Sequence, residues 1–370
     1  MLKVLNHKSF DKDQLLARAS ERRDLSWGKS VTYSRKVFVP LTNMCRDTCS
    51  YCTFVKHPNS KSARILDPDQ VMEIVRLGER SGCKEVLLSL GEKPELRYEI
   101  AREKLRQLGF STMVAYLHFI CDMILKKSSL LPHVNAGTLS KDEISSLKPV
   151  SASMGMMLEN VSRRLTKKGM PHFACPDKVP IQRIRTMDNM GTLKVPFTTG
   201  MLVGIGETWD ERLETLRSIE KSHRKFGHIQ EVIIQNFVPK TDIRMCNAPE
   251  PSQEEMLITI ALARLILSPE ISIQSPPNLN DLHANYLDAG LNDWGGISPV
   301  TDDYINPERV WPKIGELKQS TRSKGFKLQE RLTVYPRFQN EKLGFLSTNL
   351  AKQVAALSRK DGLARRQFCS

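Results

Sequence analysis

The sequence predicts an α/β chain folded as a TIM-like (βα) barrel, complete or nearly complete. From about residue 36, short β-branched runs alternate with helical patterns, as stacked βαβ units do. Seven or eight such units fall within about 265 residues, close to the ~250 that a (βα) barrel takes. No Gly-x-Gly-x-x-Gly follows the first strand, which disfavours a doubly wound open sheet.

Residues 1–35 read as a polar lead-in, 36–335 as the barrel and 336–370 as a basic tail, helical or partly disordered. The first strand is expected at 37–39, running into a loop rich in cysteine. Asp67 then offers an N-cap with Pro68 at the first helical position, and the helix runs to Ser81 before Gly82 ends it. Further strands are expected at 86–90, 132–135, 152–156, 197–203, 231–236 and 271–274, with a last repeat around Asp293. Helices are expected at 140–147, 208–226 and 252–267. On this arrangement the cysteine loop sits at the C-terminal end of the first strand, where barrels carry their active sites.

The 370 residues are 40% hydrophobic and 26% charged, enough for one large or two modest domains with a sizeable core. Residues 1–10 show neither an apolar export region nor a cleavage site. The longest apolar run, 258–267, is broken by Arg264 and falls short of the ~20 residues of a membrane span. A soluble, cytoplasmic protein is expected. The formal charge of +14 raises a nucleic-acid partner as a class, but aromatic residues make up only 6% of the chain. Basic residues are spread along helices, with small concentrations at 163–168 and 352–366, so a solvated basic surface is the expectation and nucleic acid is not.

Of eight cysteines, three fall in Leu41-Thr-Asn-Met-Cys45-Arg-Asp-Thr-Cys49-Ser-Tyr-Cys52-Thr-Phe54, spaced Cys-x3-Cys-x2-Cys. Thiolates this close can share one centre, and soft ligands select iron–sulfur or zinc. Without an export signal, such a group points to metal or redox chemistry rather than disulfides. A zinc site would ordinarily bring a second Cys-x2-Cys or histidines, and only His57 is at hand. No fourth cysteine lies nearby in sequence, so a [4Fe-4S] cluster would keep one iron open. Cys83, Cys121, Cys175, Cys246 and Cys369 are scattered and read as ordinary small hydrophobes.

The cysteine run resembles the cluster motif of the radical S-adenosylmethionine (SAM) superfamily. That resemblance implies a radical SAM barrel with a [4Fe-4S] cluster on Cys45, Cys49 and Cys52 and SAM on the open iron. Ser89-Leu-Gly91-Glu92-Lys-Pro-Glu95 resembles the family's Gly-Gly-Glu segment, which places Gly91 and Glu92 against the methionine part of SAM. Gly200-Met-Leu202-Val-Gly204-Ile-Gly206-Glu207 resembles its Gly-x-Ile-x-Gly-x-x-Glu strand, which implies adenine contact near Gly204 and Glu207. Tyr51 matches the aromatic position that meets adenine, and is expected to be exposed. By position after the fourth strand, Glu159 and Arg164 are assigned to the ribose hydroxyls and the SAM carboxylate.

Over a longer range, Ser34-Arg-Lys-Val-Phe-Val-Pro-Leu-Thr-Asn43, His228-Ile-Gln-Glu-Val-Ile-Ile-Gln-Asn236, Pro276-Pro-Asn-Leu279 and Asp293-Trp-Gly-Gly-Ile-Ser-Pro299 resemble the 7,8-didemethyl-8-hydroxy-5-deazariboflavin synthase family. The resemblance spans about residues 30–335. It implies a lyase in deazaflavin coenzyme biosynthesis that cyclises a hydroxybenzyl-dihydrouracil adduct with loss of ammonia. A companion radical SAM synthase would supply the adduct, and an electron donor such as ferredoxin or flavodoxin would reduce the cluster. A single cysteine motif implies the cyclising half alone. A ribityl chain and a uracil edge call for amides and carboxylates at strand ends, for which Gln235, Asn236, Asn278, Asp293 and Trp294 are the candidates. The rivals are the companion hydroxybenzyl-transferring synthase, a menaquinone-pathway or biotin-synthase-like barrel enzyme, an iron–sulfur electron carrier without SAM chemistry, and a nucleic-acid-modifying radical SAM enzyme.

Overall fold

The computed structural model describes residues 11–365; residues 1–10 and Cys369, both considered above, lie outside them. In chain order the elements are α1 (Lys12–Trp27), β1 (Ser30–Thr42), α2 (Pro68–Arg80), β2 (Glu85–Leu90), α3 (Glu99–Gln107), α4 (Met113–Lys127), β3 (Leu131–Asn135), α5 (Lys141–Leu147) and β4 (Ser153–Gly155). They continue with α6 (Pro180–Thr192), β5 (Phe197–Val203), α7 (Trp209–Phe226), β6 (Ile229–Asn236), α8 (Gln253–Ile266), β7 (Ser272–Gln274), β8 (Asp293–Ile297), α9 (Ile314–Ser323), β9 (Lys327–Arg331) and α10 (Thr348–Leu357).

The helix starts follow from their caps. Asp67, Ser140, Thr208 and Ser252 each accept the N–H of a residue three further on, and Gln70, Glu143, Glu211 and Glu255 return the bond to the cap. Strand β5 is buried at every position, as a parallel strand covered on both faces must be. β1 to β8 pair in parallel, each with the next, and β8 pairs back onto β1, closing an eight-stranded barrel.

β9 is the addition that the sequence pattern did not announce. It pairs with β1 from Ser30↔Lys327 to Ser34↔Arg331, whereas β2 pairs with β1 from Lys36↔Glu85 onward. A strand has two edges and β8 holds one, so β9 sits below β2 on the other, at the N-terminal mouth of the barrel. The chain leaving β9 then enters that mouth. Arg331 pairs with Glu231 and Asp293, Thr333 Oγ1 lies 2.6 Å from Ser153 Oγ, and Gln230 Nε2 donates to Thr333 O at 2.9 Å.

Both outer segments belong to the packed body. The first strand starts at Ser30, inside the expected lead-in, because its inward residues Thr32 and Ser34 are polar and mask the strand pattern. Leu15 and Ala19 of α1 join the core, and Arg23 Nη1 donates to Leu287 O and Leu291 O at 2.5 and 3.0 Å. The expected basic tail forms α10, whose Leu350, Val354 and Leu357 are buried in that same core. No helix among the described residues is long and apolar enough to cross a membrane.

His133 lies inside the barrel, its Nδ1 2.7 Å from Ser153 Oγ and 3.2 Å from Thr333 Oγ1. Burial, helped by Lys36 and Arg331 and opposed by Glu85, pushes its imidazole from 6.5 down to about 4. Between those values the unfolded chain binds a proton that the folded chain refuses, so stability falls as pH drops through that window. The expected contribution is about 3 kcal/mol. Urea denaturation at pH 7 and pH 4.5 should show it, and His133→Gln should flatten the difference; an unchanged slope in the variant would assign it elsewhere.

Candidate active site

The ends of β1 and β2 are tied into one surface. Gly91 N donates to Thr42 O and Arg46 N to Glu92 O, both at 2.9 Å, which threads the cysteine loop over β2. A Cβ on Gly91 would stand 2.0 Å from Met44 O and 2.8 Å from the Cβ of Cys45, so only glycine permits this approach. The Cys45 Sγ accepts N–H bonds from Glu92 at 3.1 Å and Asp47 at 3.3 Å. Ser50 N donates to Pro171 O at 2.9 Å, and Thr53 Oγ1 to Ile305 O at 2.7 Å, anchoring the loop to later barrel loops.

Cys45, Cys49 and Cys52 line one cavity of about 350 Å³ at the C-terminal mouth of the barrel. Burial pushes the Cys45 thiol up to about 12, and Cys52 is raised for the same reason. Buried thiols in that state turn into thiolates only when a cation shares the site. Three cysteines on one cavity, peptide N–H groups aimed at the sulfur of one of them and a glycine that no side chain can replace fit an iron–sulfur cluster.

A second group stands across the cavity. Glu159 follows β4 with a left-handed backbone, φ +64°. Its carboxylate accepts from Lys178 Nζ at 2.6 Å and from the Tyr51 hydroxyl, and lies 3.0 Å from His172 Nε2. Burial opposes its charge, but Lys178, His172 and Arg183 overcome that and hold Glu159 well below the usual carboxylate range. Arg183 donates to Met157 O at 2.8 Å and reaches within 3.7 Å of Glu92. Glu92 accepts from the Thr138 hydroxyl at 2.5 Å.

The structure brings Tyr51, Gly91, Glu92, Glu159, Gln235 and Asn236 to the cavity with the three cysteines. Tyr51 is half-buried rather than exposed, because its hydroxyl is held by Glu159 and His172. The other candidates stand elsewhere. Arg164 bonds Glu211 and Gly206 O, outside the cavity. Glu207 accepts the N–H groups of Gly204 and Ile205 and pairs with Arg212, so Gly204 and Glu207 shape a turn instead of lining the site. Asn278 holds the loop after β8 by donating to Asp303 and Arg309 O, both at 3.0 Å. Asp293 is the internal counterion of Arg331, and Trp294, fully buried, donates to Thr321 Oγ1 at 3.0 Å on the helix side of the barrel wall.

Lys178, Arg183 and His172 were not read from the sequence. His172 and Lys178 arrive on the long irregular segment between β4 and α6 and Arg183 on α6 itself, so all three lie further along the chain than Arg164, which was assigned by its position soon after the strand. Cys175 was also missed: its Sγ accepts from Thr48 N at 3.3 Å and touches the Cys49 thiol, yet it does not line the cavity. Lys36, Glu85, His133, Glu231, Gln274 and Arg331 complete a polar floor from separate strands.

Residues 39–219 match the radical SAM superfamily. The chain is 48% identical over 336 residues to the 7,8-didemethyl-8-hydroxy-5-deazariboflavin synthase of Methanopyrus kandleri, covering 90% of this chain and 100% of that one. It is 45% identical over 344 residues to the FO synthase of Mycobacterium tuberculosis, covering 91% of this chain but 40% of that longer protein. Among solved structures, methylornithine synthase aligns over 86% of this chain and 89% of its own with TM-score 0.66 at 17% identity. The hydrogenase maturase HydG of Carboxydothermus hydrogenoformans aligns over 92% and 80% with TM-score 0.69 at 19% identity, a likeness of fold.

Closed barrel, three-thiol loop and superfamily match together define a radical SAM barrel enzyme. Within that class the chain belongs to the 7,8-didemethyl-8-hydroxy-5-deazariboflavin synthase family, with which it shares 48% identity along a whole relative.

Proposed function

We propose that this chain converts 5-amino-5-(4-hydroxybenzyl)-6-(D-ribitylimino)-5,6-dihydrouracil to 7,8-didemethyl-8-hydroxy-5-deazariboflavin, releasing ammonia, methionine and 5′-deoxyadenosine as a lyase. The observation that carries this is the 48% identity over the full length of a synthase so named, joined to three thiols on one cavity. Cys45, Cys49 and Cys52 would hold a [4Fe-4S] cluster. When bound there, the cluster with SAM supplies one electron to the sulfonium and so a 5′-deoxyadenosyl radical able to take a hydrogen atom.

The chain's own residues position and shield. Gly91 lets the β2 end approach a ligand through its backbone, and Leu202 and Phe237 offer an apolar wall for a flat base. Glu159, kept ionised, accepts from hydroxyls, while Lys178 and Arg183 supply positive charge beside a carboxylate. The closed barrel keeps bulk water from a reactive carbon centre.

A companion radical SAM synthase supplying the adduct and a ferredoxin- or flavodoxin-like donor are the partners on this reading, and a net charge of +14 favours an acidic donor. A cytoplasmic setting is part of the same reading, supported by seven free thiols among the described residues. The test is anaerobic: reconstitute with iron and sulfide, add dithionite, SAM and the adduct, then follow fluorescence and mass. Deazaflavin with stoichiometric 5′-deoxyadenosine is the expected result; 5′-deoxyadenosine without deazaflavin would retain the radical chemistry and discard this substrate.

A further inference from the structure

The floor of the cavity contains an amide with nothing to bond. Gln274, the last residue of β7, is 4% exposed, lines the cavity and makes no side-chain hydrogen bond among the described residues. An amide on the cavity wall that no protein group partners is left for solvent or a ligand to satisfy. On β1, two strands round the barrel, the Lys36 ammonium pairs with the Glu85 carboxylate 2.7 Å away and also lines the cavity. β8 lies between these two strands.

Two glycines of β8 bring the pair together. A Cβ on Gly295 would lie 2.1 Å from Gln274 Nε2, and a Cβ on Gly296 would lie 2.0 Å from Lys36 Cε. Gly295 also has φ +71°, which disfavours a side chain on its own account. The glycine pair is thus a bare strip over which the amide and the ammonium converge from opposite sides. Together they present a donor and an acceptor from Gln274 and a second donor from Lys36. A cyclic imide presents the complement: carbonyl, N–H, carbonyl.

We propose that Gln274 and Lys36, laid over Gly295 and Gly296, form the subsite that reads the imide edge of the pyrimidine ring. The assignment rests on the substrate proposed above. Gln274 accepts the imide N–H and donates to one flanking carbonyl; Lys36 donates to the other. The ring is then held at the floor, and its substituent at C5 points up toward the cysteine loop.

The experiment uses cluster-loaded protein with SAM and no reductant, and measures equilibrium binding of the hydroxybenzyl-dihydrouracil adduct and its N3-methyl analogue, which lacks the imide hydrogen. Wild type should bind the methylated compound at least about tenfold more weakly, as expected when a buried acceptor loses its donor. Gln274→Leu should weaken the parent compound and bind both alike. Gln274→Glu keeps the volume and guards against a packing artefact; it too should weaken the parent. Iron content and cluster absorbance should stay at wild-type values in both variants. Discrimination persisting in Gln274→Leu would overturn the subsite and leave the substrate in place. Failure of wild type to bind either adduct would remove the substrate reading, and the subsite with it.

Discussion

Alanine at Cys45, Cys49 or Cys52 is expected to remove most of the iron and sulfide that the protein takes up on anaerobic reconstitution, and to abolish 5′-deoxyadenosine formation. All three cysteines line the same cavity, and no other cysteine among the described residues lines it. Cys175 touches Cys49 but does not line the cavity, so it cannot complete the set from where it stands. A cluster reduced to two protein ligands loses both its hold and the charge balance that keeps the remaining thiols ionised. Cys83→Ala is the matched control: that thiol is 1% exposed within the hydrophobic core, and its removal should cost roughly 1 kcal/mol of stability while leaving iron uptake and SAM cleavage intact. Iron analysis and product chromatography on the four variants decide the matter. Full iron content with normal SAM cleavage in any of the first three would refute the cluster assignment.

The strands were legible because parallel barrel strands are buried on both faces and show as apolar, β-branched runs; β5 coincides residue for residue with the expected 197–203. The start of α2 was legible from Asp67 and Pro68, and the expected stretches 140–147, 208–226 and 252–267 begin at the residues that cap α5, α7 and α8. β9 was not, since Lys-Leu-Gln-Glu-Arg has no such run and acquires its strand character from β1. In the site, legibility followed sequence contiguity. The three cysteines and Tyr51 sit in one short loop and Gly91 and Glu92 in another, and the resemblance of both loops to radical SAM motifs, not spacing, implied that they meet. Lys36, Lys178, Arg183, Gln274 and Arg331 come from distant elements that meet only once the barrel closes. Trp294 shows the converse limit: alternate residues of a strand face opposite sides, and Trp294 points to the helices while its neighbour Asp293 points inward to Arg331.

Arg331→Met should destabilise the protein by about 3–5 kcal/mol, the range for removing one partner of a buried ion pair. Arg331 Nη2 donates to Glu231 Oε1 at 2.7 Å and its Nε to Asp293 Oδ2 at 2.6 Å, and both acids are buried beside it. Burial already raises the Glu231 carboxyl, with Arg331 as its main opponent. Without the guanidinium, that carboxyl moves further above its ordinary 4.5, so the folded variant binds a proton that the unfolded chain has released. Stability of the variant therefore falls as pH rises above that value, and the deficit should be larger at pH 8 than at pH 5. Urea midpoints at the two pH values measure this, and adding Glu231→Gln should recover part of the loss at pH 8. A deficit independent of pH would mean that Arg331 acts by packing alone. The charge that neutralises the barrel floor is thus delivered by a ninth strand outside the closed eight, and Gln274 and Lys36 share that floor with it, so the shape of the substrate cavity depends on chain that follows the barrel.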